Sequence, residues 1–196
     1  MGVSSKINIV IVGVGGQGII TLSKIIGDAA VKENVKVLIA ETHGLSQRGG
    51  SVEVHLRIGD VHAPTVPKGE ADILLSMELI EAVRNVDYLN QNGIIITSNT
   101  ILRPPIPGVK LPKEDEILSE FKKNDIKYYV IPTKELSEKA GSYLSENMVL
   151  LGALYKLSSL EKFININSLK DIIKTMRNPE INLKAFELGS SFTATI

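Results

Sequence analysis

An apolar run that breaks into glycines does most to limit what this chain can fold into. Residues 7–12 read Ile-Asn-Ile-Val-Ile-Val, and they are followed within six residues by Gly13, Gly15, Gly16 and Gly18. A short β-branched apolar run is typical of a buried strand. Closely spaced glycines allow a tight turn into a helix, which we predict over Ile19–Val31. Such a turn leaves backbone N–H groups free at the helix N-terminus, where anions bind.

The glycine turn has the spacing of a dinucleotide-binding site, G-x-G-x-x-G, at Gly13, Gly15 and Gly18. A second predicted strand, Val35–Ala40, would complete a βαβ unit whose two strands form a parallel pair. Glu41 closes that strand about 20 residues after the turn, where an acidic residue binds the ribose of NAD. This spacing makes the turn, with Gln17 inside it, a candidate ligand site.

The segment after Glu41 does not suit a plain dinucleotide-binding domain. Residues 42–50 form a polar, glycine-punctuated loop instead of a crossover helix. Residues 51–58 then alternate between apolar and polar, which predicts an antiparallel strand, or a hairpin that turns at residues 59–60 into residues 61–63. The apolar side chains of this strand, Val52, Val54, Leu56 and Ile58, are expected to face the core. The polar ones, Glu53, His55 and Arg57, are expected to form a solvated face.

The remaining pattern predicts an α/β fold with a Rossmann-like, doubly wound and mostly parallel sheet that carries an antiparallel hairpin or edge strand. Further strands are predicted at Ala71–Met77, Ile94–Ser98 and Ile126–Ile131. Two helices are predicted between them, at Glu78–Leu89 and Glu114–Lys123. Asn92-Gly93 reads as a turn before the middle one of these strands.

From Thr133 onward the chain is predicted to be helical. We expect one domain over residues 1–196, with the sheet core in 1–132 and a helical C-terminal extension in 133–196. Residues 147–155 are apolar on most sides, so this helix should be buried in the core or under a partner. Exposed apolar surface on 147–157 and on the hairpin would make the isolated chain self-associate.

Composition excludes several classes of function. Lys and Arg number 22 and so do Asp and Glu, so no net field favours nucleic acid or an anionic membrane. No apolar run approaches the roughly 20 residues of a membrane span, and the absence of a secretory signal pattern predicts a cytoplasmic location. The chain has no cysteine and therefore no thiolates of its own for an iron–sulfur cluster. Its three histidines lack the i, i+4 spacing of a zinc site.

Ligands of such sheets bind at the carboxyl ends of the parallel strands, where we expect the glycine turn, Glu41 and the following loop to meet. The candidate ligand- or partner-binding residues are Gly13, Gly15, Gly16, Gln17, Gly18, Glu41, Ser46, Gln47, Arg48 and Gly49. Arg48 could bind phosphate or carboxylate through a bidentate fork. Alternatively, the Gly49-Gly50 pair only bends the chain, and Arg48 pairs with a local carboxylate. No catalytic residue is predicted, because Ser46 near His43 lacks a third partner.

Three segments together resemble the gamma-type subunits of 2-oxoacid:ferredoxin oxidoreductases. They are residues 13–18, 41–52 and 66–74. The Ser-Gln-Arg-Gly-Gly run after His-Gly is similar to the indolepyruvate branch of that family. One departure lies in residues 77–82, where the resemblance leads us to expect an aromatic residue near Met77 and a proline near Leu79.

The resemblance implies a reaction and a division of labour. A larger alpha subunit would carry thiamine diphosphate and iron–sulfur clusters, whereas this chain would bind no cofactor alone and would contact ferredoxin only indirectly. The complex would convert an aryl 2-oxoacid such as indolepyruvate, with coenzyme A and oxidised ferredoxin, to the aryl-acetyl-CoA, carbon dioxide and reduced ferredoxin. The glycine turn and Arg48 would form a wall of the active-site cleft, against either the coenzyme A phosphates or a partner segment.

Three alternatives stay open at this point. Pyruvate or 2-oxoglutarate could replace the aryl 2-oxoacid, because selectivity would belong to the thiamine pocket of the other chain. A stand-alone NAD- or FAD-binding module, with Glu41 on the ribose, is the second. A purely structural subunit that contacts no ligand is the third.

Overall fold

The computed structural model describes residues 5–43, 49–103 and 108–193, although not the side chain of His43. The strands of these parts are β1 (Lys6–Val14), β2 (Val37–His43), β3 (Ser51–Gly59), β4 (Ala71–Ser76), β5 (Leu89–Ser98) and β6 (Lys127–Ile131). The α-helices are α1 (Ile19–Lys32), α2 (Leu79–Arg84), α3 (Glu114–Lys123), α4 (Thr133–Ala140), α5 (Glu146–Leu157), α6 (Ile166–Lys174) and α7 (Pro179–Ser191). None of the helices in these parts is long and apolar enough to cross a membrane.

The strands form one sheet in the order β2-β3-β1-β4-β5-β6. Only β3 runs against its neighbours, β1 and β2, in the part of the chain described, whereas β1, β4, β5 and β6 pair in parallel. The predicted α/β class with a mostly parallel sheet is therefore confirmed.

The predicted parallel pairing of β1 with β2 is wrong. Both strands run in the same direction, but β3 lies between them and pairs with each in antiparallel register. The antiparallel hairpin is formed by β2 and β3, because residues 61–63 have no strand structure. The edge of the sheet therefore belongs to β2, and β3 is an internal strand.

The predicted solvated face of β3 is also wrong. His55 and Arg57 are 4% and 8% exposed, because residues 61–66 cross over them. The Arg57 guanidinium donates hydrogen bonds to Asn8 Oδ1 at 3.0 Å and to the backbone oxygens of Ala63 and Thr65 at 3.1 and 3.0 Å. These contacts hold the crossing segment on the sheet.

A second buried contact joins His55 to the same segment. The backbone N–H of Val66 donates to His55 Nδ1 at 3.1 Å, so the proton of the neutral ring lies on Nε2, 2.8 Å from Glu53 Oε1. The Tyr88 hydroxyl donates to the same oxygen at 3.0 Å. Burial and this carboxylate raise the pKa of Tyr88 to about 12. The opposite face of β3 is apolar and packs into the main core, as predicted.

The predicted burial of 147–155 has a definite cause. Residues 147–154 of α5 are buried inside this chain, where α7 crosses them. A Cβ at Gly152 would collide with the backbone oxygen of Phe186, and one at Gly189 with that of Val149. The backbones of the two helices therefore touch, and α5 does not offer the exposed apolar surface from which self-association was predicted.

Two boundaries after β4 differ from prediction. Helix α2 is only six residues long and is followed by a 3-10 helix at Val86–Tyr88. The predicted Asn92-Gly93 turn lies inside β5, where the register shifts against Ala71 and Ile73 of β4. A Cβ at Gly93 would lie 2.8 Å from the Ala71 backbone oxygen, so this irregularity depends on the missing side chain. Helix α3 has its predicted bounds.

Candidate functional site

The glycine turn joins the end of β1 to the start of α1, at the carboxyl edge of the sheet. Gly16 and Gly18 have φ angles of +105° and +77°, a region that favours glycine. Gly18 is the N-cap of α1, where no side chain caps the helix and no acidic residue occupies the first turn. The first N–H groups of a helix have no intrahelical acceptor, so this turn presents donors and the positive end of the helix dipole to an anion.

Gln17 shapes this turn from inside. Its Oε1 accepts a hydrogen bond from the Val14 backbone N–H at 2.7 Å, and its Nε2 donates to the Met77 backbone oxygen at 3.0 Å. A Cβ at Gly13 would lie 2.8 Å from Gln17 Oε1, so Gly13 leaves room for this staple. Both Gln17 groups have partners within the chain, which gives the residue a positioning role.

The two glycine motifs meet through their backbones. The Gly15 N–H donates to the Gly50 oxygen at 2.8 Å, and the Gly49 N–H donates to the Gly15 oxygen at 3.4 Å. These bonds continue the β1–β3 ladder beyond Val14. Ser46, Gln47 and Arg48 lie outside the described residues, so their part in the site stays a prediction.

Glu41 is not beside the turn. It pairs with Val54 of β3, and Val54 pairs with Ile11 of β1, so a whole strand separates Glu41 from the strand that carries the turn. Glu41 is exposed on the edge strand. The ribose contact of a dinucleotide domain requires the acidic residue at the end of the adjacent strand, and the insertion of β3 removes that arrangement.

A cleft of about 490 Å³ opens over the glycine turn between α1, α5 and α7. We call it the glycine-turn cleft. Its side chains are mostly apolar or uncharged, with Arg177 and Glu146 as its charged members. Tyr143 and Leu144 stand at its margin, 64% and 74% exposed. The residues that line it include Gly16, Gly18, Thr21, Met77, Leu102, Glu146, Arg177 and Ile181.

Polar contacts fix the beginning of α5 against the turn. Asn147 Nδ2 donates to the Gly18 backbone oxygen at 3.3 Å. The Thr133 hydroxyl donates to Glu146 Oε2 at 2.7 Å and lies 2.7 Å from the Ser98 hydroxyl. The sequence analysis did not predict Asn147 as a site residue. The available signal was a polar amide directly before the apolar run of α5.

A second cleft, of about 510 Å³, lies on the opposite side of the turn, between α2 and residues 102–103 and 109–112. We call it the α2 cleft. Glu78 caps α2 by accepting from the Glu81 N–H at 2.7 Å, and its other oxygen accepts from the Leu102 N–H at 3.0 Å. Burial raises the pKa of Glu78, against the opposing effect of these N–H groups. Glu81 accepts from the Ser51 hydroxyl at 2.6 Å and from Arg84 Nη1 at 2.7 Å.

The described residues around the turn offer backbone donors and two clefts that can receive a ligand. No group of three His, Asp or Glu side chains within the described ranges could hold a metal ion. The chain has no cysteine, so its donor set does not fit an iron–sulfur cluster. The geometry is that of a binding surface with two clefts on either side of an anion-compatible turn.

Comparison with known proteins identifies relatives over nearly the whole length. The family model described as pyruvate ferredoxin/flavodoxin oxidoreductase matches residues 8–192. The indolepyruvate oxidoreductase subunit IorB of Archaeoglobus fulgidus is 42% identical over 190 residues, which are 94% of each chain. IorB of Methanothermobacter thermautotrophicus is 39% identical over 93% of this chain and 95% of its own. The 2-oxoglutarate synthase subunit KorC of the same organism is 28% identical over 91% and 90%.

Solved structures share the fold. The gamma subunit of a keto/oxoacid ferredoxin oxidoreductase from Geobacter sulfurreducens matches with a TM-score of 0.68 and 19% identity, over 93% of this chain and 95% of its own. The 2-oxoglutarate:ferredoxin oxidoreductase of Magnetococcus marinus, solved with 2-oxoglutarate, coenzyme A and succinyl-CoA bound, matches with a TM-score of 0.70 and 21% identity. That match covers 98% of this chain but only 32% of the longer one.

Proposed function

The chain belongs to the pyruvate ferredoxin/flavodoxin oxidoreductase family, and from that premise we propose that it is the cysteine-free subunit of an oxidoreductase that acts on indolepyruvate or a similar aryl 2-oxoacid. Its part is to complete the coenzyme A site of a larger catalytic subunit. The choice of an aryl substrate rests on the names of its IorB relatives, which are more similar to it than the KorC subunit is.

The catalytic subunit would hold the thiamine diphosphate and iron–sulfur clusters, which supply decarboxylation of the 2-oxoacid and electron transfer to ferredoxin. The residues of this chain act on the second substrate. They bind the phosphates of coenzyme A, exclude water from one wall of the cleft and direct the thiol end towards the partner.

The observation that carries the proposal is the uncapped N-terminus of α1. Gly16 and Gly18 bring its donors to the surface, and the glycine-turn cleft gives an extended ligand room beside them. Each hydrogen bond between such a donor and a phosphate contributes about 1.5–3 kcal/mol. The backbone donors of the turn could therefore bind a diphosphate without the help of a charged side chain.

Thr21 offers a direct test. It is exposed, lines the cleft and lies in the first turn of α1. Thr21→Asp adds a negative charge where the diphosphate would lie, while an acidic residue in this turn also favours the helix. In the complex assembled with the catalytic subunit, it should weaken coenzyme A binding about tenfold or more, measured by calorimetry.

The control is Thr21→Asn, which has nearly the same size without the charge and should bind coenzyme A normally. The unsubstituted complex would also be assayed for coenzyme A-dependent reduction of ferredoxin, with indolepyruvate, pyruvate and 2-oxoglutarate in turn. Undiminished binding by Thr21→Asp would exclude the turn as the coenzyme A site. A preference for 2-oxoglutarate would overturn the aryl substrate.

A further inference from the structure

The two clefts are neighbours along the carboxyl edge of the sheet. The glycine-turn cleft contains Gly16 and Gly18, the α2 cleft contains Val14 and Gly49, and the Leu102 side chain lines both. An extended ligand that crosses the turn would therefore enter one cleft with each end.

The clefts differ in charge. Arg84, Arg103 and Lys110 line the α2 cleft. Arg103 and Lys110 form no ion pair with any residue in the ranges that the structure describes, and both are exposed. The glycine-turn cleft has one cation, Arg177, and one carboxylate, that of Glu146.

The two carboxylates of the α2 cleft do not cancel its cations at the surface. Glu78 and Glu81 are 2% and 3% exposed, and the oxygens of both accept hydrogen bonds from the chain itself. Arg84 uses one nitrogen for Glu81, and its side chain is still 65% exposed. Positive charge therefore faces the opening, while negative charge is held in the wall behind it.

We propose that the α2 cleft binds the 3′-phosphate of coenzyme A through Arg103, Lys110 and Arg84. This rests on the proposed function, which puts the diphosphate over the glycine turn. The uncharged pantetheine arm then lies in the glycine-turn cleft and points its thiol away from the α2 side.

The chemistry of the ligand matches this orientation. A phosphate monoester carries about −1.5 to −2 charges at pH 7, which is more than one cation balances. Arginine and lysine are the side chains that bind such groups. The pantetheine arm has no charge and is better matched by Met77 and Ile181, which line the glycine-turn cleft only.

The test compares coenzyme A with 3′-dephospho-coenzyme A, which lacks only the phosphate in question. Calorimetry on the complex assembled with its catalytic subunit, without 2-oxoacid, gives both dissociation constants. The doubly substituted Arg103→Ala, Lys110→Ala chain should bind coenzyme A about ten- to a hundredfold more weakly and leave dephospho-coenzyme A binding unchanged. The ratio of the two constants should fall towards one.

Arg177→Ala is the matched control, an exposed arginine in the other cleft, and it should preserve the ratio. A ratio that survives the double substitution but is lost in Arg177→Ala would reverse the orientation and overturn the proposal. Thr21→Asp distinguishes this failure from failure of the proposed function. If Thr21→Asp weakens the binding of both ligands equally while the double substitution weakens the binding of neither, the turn binds the diphosphate but the 3′-phosphate lies elsewhere. If all three variants bind as the unsubstituted complex does, both proposals are wrong.

Discussion

At the scale of single residues, the glycine turn depends on one side chain that points inward. Gln17 joins the end of β1 to the residue after β4 through Val14 and Met77. The Val14 N–H needs an acceptor and the Met77 backbone oxygen needs a donor, and an amide side chain offers one of each. A turn that is already held by two internal hydrogen bonds loses less conformational entropy when a ligand binds.

Gln17→Ala removes both of these hydrogen bonds and leaves two main-chain groups without their partners. We expect the free energy of unfolding to fall by about 1–3 kcal/mol, measured by urea denaturation. Gln91→Ala is the matched control, because Gln91 is exposed on β5, and it should change stability by less than about 0.5 kcal/mol. Equal effects of the two substitutions would show that the Gln17 staple does not stabilise the turn.

At the scale of elements, the crossing of α5 and α7 keeps the C-terminal helices on the sheet. The two helices approach until main-chain atoms touch at Gly152 and Gly189. The beginning of α5 in turn carries Glu146 and Asn147, which contact Thr133 and the glycine turn. The position of the cleft wall therefore depends on how closely these helices pack.

Gly152→Ala should destabilise the chain by about 3 kcal/mol or more, because the added methyl group meets the main chain of α7, which cannot move aside. Thermal and chemical unfolding would both report this change. Gly27→Ala in α1 is the control. A Cβ there meets only Ile39 Cδ1 at 2.8 Å, the flexible end of a half-exposed side chain, and alanine favours the helix by about 1 kcal/mol. A neutral Gly152→Ala would contradict the close crossing.

At the scale of the whole molecule, the insertion of β3 between β1 and β2 limits which ligands can bind at the turn. A dinucleotide domain brings the acidic residue of its second strand next to the phosphate turn. Here Glu41 is on the far side of β3, on an edge strand. The turn keeps the uncapped helix N-terminus that suits a phosphate, whereas the ribose contact of NAD is lost.

The isolated chain should therefore give neither heat nor a shift in Tm when titrated with NAD up to millimolar concentration. The physical reason is the missing ribose contact, without which specific binding is weak. Micromolar binding of NAD that is lost in Glu41→Ala would show instead that Glu41 reaches the ligand, and would restore the stand-alone nucleotide module as the function.

The sequence alone determined the features that depend on neighbouring residues. The β-branched run and the glycine spacing defined β1, the turn and α1, the charged pattern defined α3 with its bounds, and the motifs of residues 13–18, 41–52 and 66–74 were enough to indicate the family. Each depends on local backbone preference or on a pattern that needs no knowledge of contacts far along the chain.

Only the tertiary structure decided which strands pair and which polar side chains face inward. Alternation in β3 showed two faces, but it could not show that residues 61–66 would cover His55 and Arg57. Val35–Ala40 was recognised as strand, yet its separation from β1 depends on pairings between distant segments. The same limit hid the inward direction of Gln17 and the two clefts beside it. The sequence showed that the glycine turn is a candidate anion site. Only the tertiary structure showed that β3 separates this turn from Glu41, the acidic residue that an NAD site would require.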